Sequence, residues 1–255
     1  MRIIKAMLIA FSMYSKIPMP QFQWKDEDMK YMLCFFPWIG AVIGGCVYLW
    51  GMICEKYEVS LLCYTLVGTA IPLLVTGGFH VDGFMDTVDA FCSYQLREKK
   101  LEILKDPHIG AFAVIRFSAY GLLYMAAFSE IQDGNLLQIV CAGFFLSRCL
   151  SGISVVSFSL AKKEGLLYSF ASKAGEDMVK KSLYLQGALC VLFMLWRSLF
   201  GGMIVAVVAL GVFAYYYYRS KKELGGITGD TAGYFVLICE CSMLIATAVI
   251  NVVCM

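Results

Sequence analysis

Three aspartates, Asp82, Asp86 and Asp89, recur at steps of four and three within GGFHVDGFMDTVDAFCS, residues 77–93, with His80 just ahead of them. Wound as a helix, they fall within one arc of roughly 60° spread over about 10 Å of rise. Carboxylates that close repel one another unless a cation sits between them, and hard oxygen donors suit a hard divalent ion. The preceding stretch, residues 59–76, carries no charge at all. Charge where a membrane segment meets water is costly and points to a use. The spacing therefore predicts a Mg2+ site at a membrane surface, with His80 as a ligand or proton-transfer group.

Other polar motifs supply complementary parts. KDPHIGAF (105–112) leads into the third apolar run, AKKEGLL (161–167) follows the fourth, and GGITGDTAG (225–233) opens the seventh. Gly-rich turns entering helix N-termini offer backbone N–H groups and a positive dipole end to phosphate oxygens. Lys105, Lys162, Lys163 and Lys222 add positive charge. Asp230 is either a fourth acidic ligand or a helix cap, with Thr228 and Thr231 beside it. Carboxylates for Mg2+ plus phosphate-binding loops are the components of phosphoryl transfer. Arg148 in FFLSRCLSG and Glu240, ten residues beyond Asp230, lie inside apolar runs. Ionisable groups at such depth either serve function or pair with each other. Arg116 reads as structural and His108 as a solvated loop residue.

The elements that must position these residues are transmembrane helices. The chain of 255 residues is 60% hydrophobic and 16% charged, with a mean hydropathy of +0.72. An ordinary soluble domain carries about a quarter charged residues. Apolar runs at 33–54, 59–79, 109–129, 136–160, 183–196, 199–218 and 232–255 approach or exceed the ~20 residues a span needs. The fifth, the shortest, leaves open whether residues 183–218 cross twice or form a re-entrant hairpin. The expected fold is all-α: a polytopic integral membrane helical bundle of about seven transmembrane helices, one domain over 1–255. The opening MRIIKAMLIAFSMYSKIPMP lacks a cleavage site and reads as a short interfacial helix. Alternate inter-run segments hold seventeen Lys and Arg against two, which places the N-terminus and the polar motifs in the cytoplasm and the C-terminus outside. Eleven cysteines, none in a CxxC pair, read as small buried hydrophobes. Membrane lipids are the expected surroundings, self-association into a homo-oligomer is left open, and no nucleic acid partner is expected.

GGFHVDGFMDTVDA resembles the GG-x-H-x-DG-x-x-DT-x-D signature of the cobalamin synthase family, the adenosylcobinamide-GDP ribazoletransferases. The likeness runs along most of the chain: FSMYSKIPMP, FFPWIGAVIGG, LEILKDPHIGAF, LSR at 146–148, KKEGL and GGITGDTAG follow that family's order. It implies an integral membrane transferase that joins α-ribazole, or its 5′-phosphate, to adenosylcobinamide-GDP with Mg2+ and releases GMP. By that resemblance Asp82, Asp86, Asp89 and Asp230 hold metal, and His80 or one of the carboxylates acts as base. Lys105, Asp106, Arg148, Lys163, Glu164, Thr228, Gly229 and Glu240 contact substrate. Two departures bear on substrate contacts. Asp106–Pro107–His108 stands where the family reads D-S-R, and Lys16 replaces an Arg, losing bidentate geometry.

Two other readings are weaker. A CDP-alcohol phosphotransferase follows its DG with x-x-A-R, whereas Asp82–Gly83 here precedes Phe84–Met85–Asp86–Thr87. A cation transporter places its ion site near the bilayer midplane, not at the end of an apolar run.

Overall fold

The computed structural model describes residues 2–162, 167–168 and 175–254. The chain is helical almost throughout. In order run α1 (Arg2–Tyr14), α2 (Asp26–Met29), a 3-10 turn (Met32–Phe35), α3 (Phe36–Lys56), α4 (Leu61–Thr76), α5 (Phe79–Cys92) and α6 (Arg97–Ile103). Then come α7 (Ala111–Ser129), α8 (Gly134–Ser157), α9 (Glu176–Arg197), α10 (Leu199–Leu224) and α11 (Gly229–Cys254). Among the described residues the β pairing is a single parallel bridge, Leu160 with Ile227. It ties the segment after α8 to the turn before α11.

Each apolar run in the sequence is a helix. Six helices (α3, α7, α8, α9, α10 and α11) are long and apolar enough to cross a membrane, and α4 with α5 makes a seventh candidate, bent by 92°. The protein is therefore a polytopic helical membrane protein. The short fifth run belongs to a helix of 22 residues, about 33 Å long. It begins seven residues before the apolar stretch because Glu176 to Ser182 continue it as polar turns. With α10 at 26 residues, both helices have the length to span ~30 Å, so a re-entrant hairpin is not required.

The 59–79 run ends earlier than its hydropathy suggests. Gly77 and Gly78 sit at φ 65° and 80°, the left-handed region that side chains resist. Two such residues in succession end α4 and turn the chain through 92° into α5. A helix of 14 residues at a right angle to its predecessor does not cross the bilayer. It packs against α11 and α7.

Solvent-facing and buried faces are inverted relative to a soluble protein. Leu49, Leu62, Leu74, Leu122, Leu185 and Val207 are exposed, as expected of faces turned to lipid. The centre is α8, buried along nearly its whole length against α3, α9 and α11. Its interior carries Ser147, Arg148, Ser151 and Ser154, polar groups that lipid would not tolerate. On α1, Ala6, Ile9 and Ala10 are fully buried while Ile3 and Ile4 stay exposed. At 13 residues α1 is too short to cross.

Candidate active site

The acidic site forms where α5 meets the first turn of α11. Gly83 makes the approach feasible: a Cβ there would lie 2.8 Å from the Asp230 carbonyl oxygen. On the opposing side Gly233 faces the His80 backbone, with a Cβ placed 3.1 Å from its oxygen. Two glycines facing one another bring the helices nearly to backbone contact, which sets Asp82 and Asp86 beside Asp230. Crowding of the acids has an electrostatic consequence. Burial, followed by the charges of Asp82, Asp230 and Asp89, raises Asp86 to about 6.

Asp89, on the same helix, faces elsewhere. Its carboxylate accepts from the backbone N–H groups of Gly110 at 2.7 Å and Ala113 at 2.9 Å, capping the N-terminus of α7. The expected metal ligand is thus a brace between α5 and α7, and the acidic cluster reduces to Asp82, Asp86 and Asp230. Asp230 opens α11 next to a reciprocal cap in which Thr228 N–H donates to Thr231 Oγ1 at 2.8 Å and Thr231 N–H to Thr228 Oγ1 at 3.2 Å. The helix start is fixed by the threonines, which releases the Asp230 carboxylate from the capping role.

A cavity of about 330 Å³ opens on this cluster. Its polar side is lined by Asp82, Asp230, Thr228 and Lys162. The lining also holds an aromatic cluster, formed by Tyr14 of α1, Phe36 of α3, and Phe79 and His80 of α5. His80 is buried, and neither ring nitrogen has a hydrogen-bond partner. Burial, and then the charge of Arg148, push its pKa well down. Neither Tyr14 nor Phe36 stands out in the sequence as functional. Their only trace is their place within FSMYSKIPMP and FFPWIGAVIGG.

Asp82, Asp86 and Asp230 offer hard oxygen donors whose mutual repulsion a divalent cation relieves, so the donor chemistry fits Mg2+. Among the described residues no three His, Cys, Asp or Glu side chains are grouped closely enough to hold a metal ion by themselves. Water or substrate oxygens would complete a coordination shell, as Mg2+ sites usually require.

The family model for cobalamin-5-phosphate synthase matches residues 6–248, nearly the whole chain. The chain belongs to the cobalamin-5-phosphate synthase family. Curated relatives bear the name adenosylcobinamide-GDP ribazoletransferase. One from Lachnoclostridium phytofermentans is 42% identical over 94% of this chain and 92% of its own. Others include one from Clostridium perfringens, 32% identical over 92% and 94%, and one from Listeria monocytogenes, 28% identical over 90% and 92%. No solved structure matches. The protein is a membrane transferase of cobalamin biosynthesis.

The remaining residues that the cobalamin-5-phosphate synthase motifs single out do not all converge on the cavity. Thr228 and Gly229 line it. Arg148 and Glu240 do not. Arg148 Nη1 donates to Glu240 Oε1 at 2.6 Å and to the Phe144 carbonyl at 2.8 Å, and Ser147 Oγ donates to Glu240 Oε1 at 2.9 Å. Paired inside the bundle, they are not placed for the substrate contacts expected of them. Arg148 instead backs the aromatic cluster, its guanidinium 6.0 Å from the Phe36 ring centroid. Lys105 and Asp106 are exposed on the turn after α6, where Asp106 bonds the His108 ring at 2.6 Å, away from the cavity lining. Lys163 and Glu164 lie outside the described residues.

Proposed function

We propose that this chain joins α-ribazole, or its 5′-phosphate, to adenosylcobinamide-GDP in a Mg2+-dependent displacement that releases GMP. The reading rests on the family and on one observation above all, the convergence of Asp82 and Asp230 on a cavity that Lys162 also lines, with Asp86 close enough to feel both charges. A ribose hydroxyl of the acceptor attacks the phosphorus that carries cobinamide. One P–O bond forms, the bond to the GMP oxygen breaks, and the hydroxyl proton is lost. Lys162 and the positive end of the α11 dipole face the phosphate oxygens. Asp82, which lines the cavity and faces solvent, takes the hydroxyl proton or passes it to water. Asp82, Asp86 and Asp230 would hold Mg2+, which when bound neutralises charge on the diphosphate.

The site is assigned to the cytoplasmic side of a cell membrane. The distribution of Lys and Arg supports that orientation, with the N-terminus inside and the C-terminus outside. A reporter fused after Met255 reads it directly: an external signal is expected, and a cytoplasmic one overturns it.

Purified protein in detergent, supplied with adenosylcobinamide-GDP, α-ribazole and Mg2+, is expected to release GMP in step with loss of α-ribazole. Absence of GMP with Mg2+, Mn2+ and Co2+ alike would end this reading.

A further inference from the structure

The cavity lining combines aromatic and ionisable side chains, and that combination narrows which substrate fits it. The His80 ring stacks near-parallel to Tyr14, with centroids 6.3 Å apart and planes at 19°. Phe36 and Phe79 meet His80 edge-on at 5.8 Å and 5.5 Å. Asp82, Asp230 and Lys162 line the same cavity. A ligand that matches has a flat, largely apolar ring at one end and hydroxyl or anionic groups at the other.

His80 carries the second observation. It is 4% exposed and lines the cavity, yet neither nitrogen is bonded within the protein. Buried polar atoms are nearly always partnered, because leaving one bare costs its full desolvation. An imidazole ring always carries at least one N–H donor. The volume of about 330 Å³ is at the small end of the ~300–1,000 Å³ typical of ligand sites. It admits a molecule of nucleoside size and excludes a corrinoid macrocycle.

We propose that this cavity is the acceptor subsite, that α-ribazole enters it benzimidazole first, and that His80 donates its N–H to the unsubstituted nitrogen of that ring. This assignment rests on the function proposed above. Ring-first entry leaves the ribose at the acidic mouth, next to Asp82, where the displacement occurs. His80 is then a specificity-determining residue that selects bases with a bare ring nitrogen, while Tyr14 and Phe36 select for a flat ring. The corrinoid substrate approaches from outside the cavity.

The test compares α-ribazole with the α-riboside of 5,6-dimethylindole, in which CH replaces that nitrogen. Binding is read by ligand fluorescence with detergent-solubilised protein, without turnover, and KM values are read with both substrates. The wild type is expected to bind the indole analogue ~10-fold more weakly, as loss of one hydrogen bond at a buried site implies. His80→Phe is expected to weaken α-ribazole ~10-fold, erase the discrimination, and leave the KM for adenosylcobinamide-GDP within about twofold. His80→Gln, which keeps a donor, restores part of the preference, and Tyr14→Leu weakens both ligands equally. Undiminished preference in His80→Phe, or in His80→Gln and His80→Ala should His80→Phe fail to fold, overturns the assignment. So does a wild type that does not distinguish the two ligands. Because binding is measured without turnover, failure of GMP release in the wild type bears on the proposed function alone.

Discussion

Helix α11 carries two acidic residues ten positions apart whose surroundings are opposite in kind. Glu240 lies deep in the bundle, accepting from Arg148 and Ser147 on the facing helix α8. Asp230 opens the same helix against α5, where Asp82 and Asp86 add like charge and the nearby cation, Lys162, is outnumbered. The deep pair is matched charge for charge inside the protein. The acidic site carries an excess of negative charge, though Thr228 Oγ1 donates to Asp230 Oδ2 at 3.4 Å. His80 lines the cavity at that site with neither ring nitrogen bonded within the protein, which marks the cavity as a place where a ligand can complete it.

The contrast is broken most forcefully from the interior. Arg148→Met strands a buried Glu240 and is expected to destabilise the protein by about 3–5 kcal/mol, whereas Arg148→Met combined with Glu240→Met recovers most of that loss. Thermal unfolding in detergent reads both. The acidic mouth behaves in the opposite way. Asp82→Asn and Asp86→Asn are expected to lower kcat ~100-fold, about 2.7 kcal/mol of transition-state stabilisation, without lowering the unfolding temperature. A variant of either residue that is both active and destabilised would erase the distinction.

Smaller effects sharpen it. Gly83→Ala forces α5 away from α11 and is expected to cost about 1–3 kcal/mol in stability, with activity falling alongside. Titration of Asp86 gives a pH signature. A carboxyl raised to about 6 keeps its proton when folded at pH values where the unfolded chain has lost it. Metal-free stability therefore falls as pH rises from about 4 to 6 and stays lower above. Asp86→Asn should flatten this slope, and Mg2+ added at pH 7 should restore stability in the wild type only. An identical slope in wild type and variant would show that Asp86 is not its source.

Much of this was legible in the residues themselves. Every apolar run became a helix, and Asp82 and Asp86 were brought to Asp230 as their types suggested. Hydropathy missed the polar turns that extend α9 back to Glu176, because a helix continues past the bilayer without an apolar signal. It also ran through Gly77 and Gly78, where backbone conformation rather than polarity ends α4. Asp89 looked equivalent to its neighbours because one-dimensional spacing carries no information on where the α7 N-terminus lies. Whether Arg148 and Glu240 served a ligand or each other depended on the register of α8 against α11. Tyr14, Phe36 and His80 come from three helices far apart in the chain, so no local pattern announces their cluster.

The claim on which the rest depends is that Asp82, Asp86 and Asp230 together hold a divalent cation. Mn2+ binding to the purified protein, followed by electron paramagnetic resonance with Mg2+ as competitor, measures it without reference to turnover. The expected result is Mn2+ that Mg2+ displaces, with affinity at least ~10-fold weaker in Asp82→Asn and Asp86→Asn. Affinity unchanged in both variants would contradict the account.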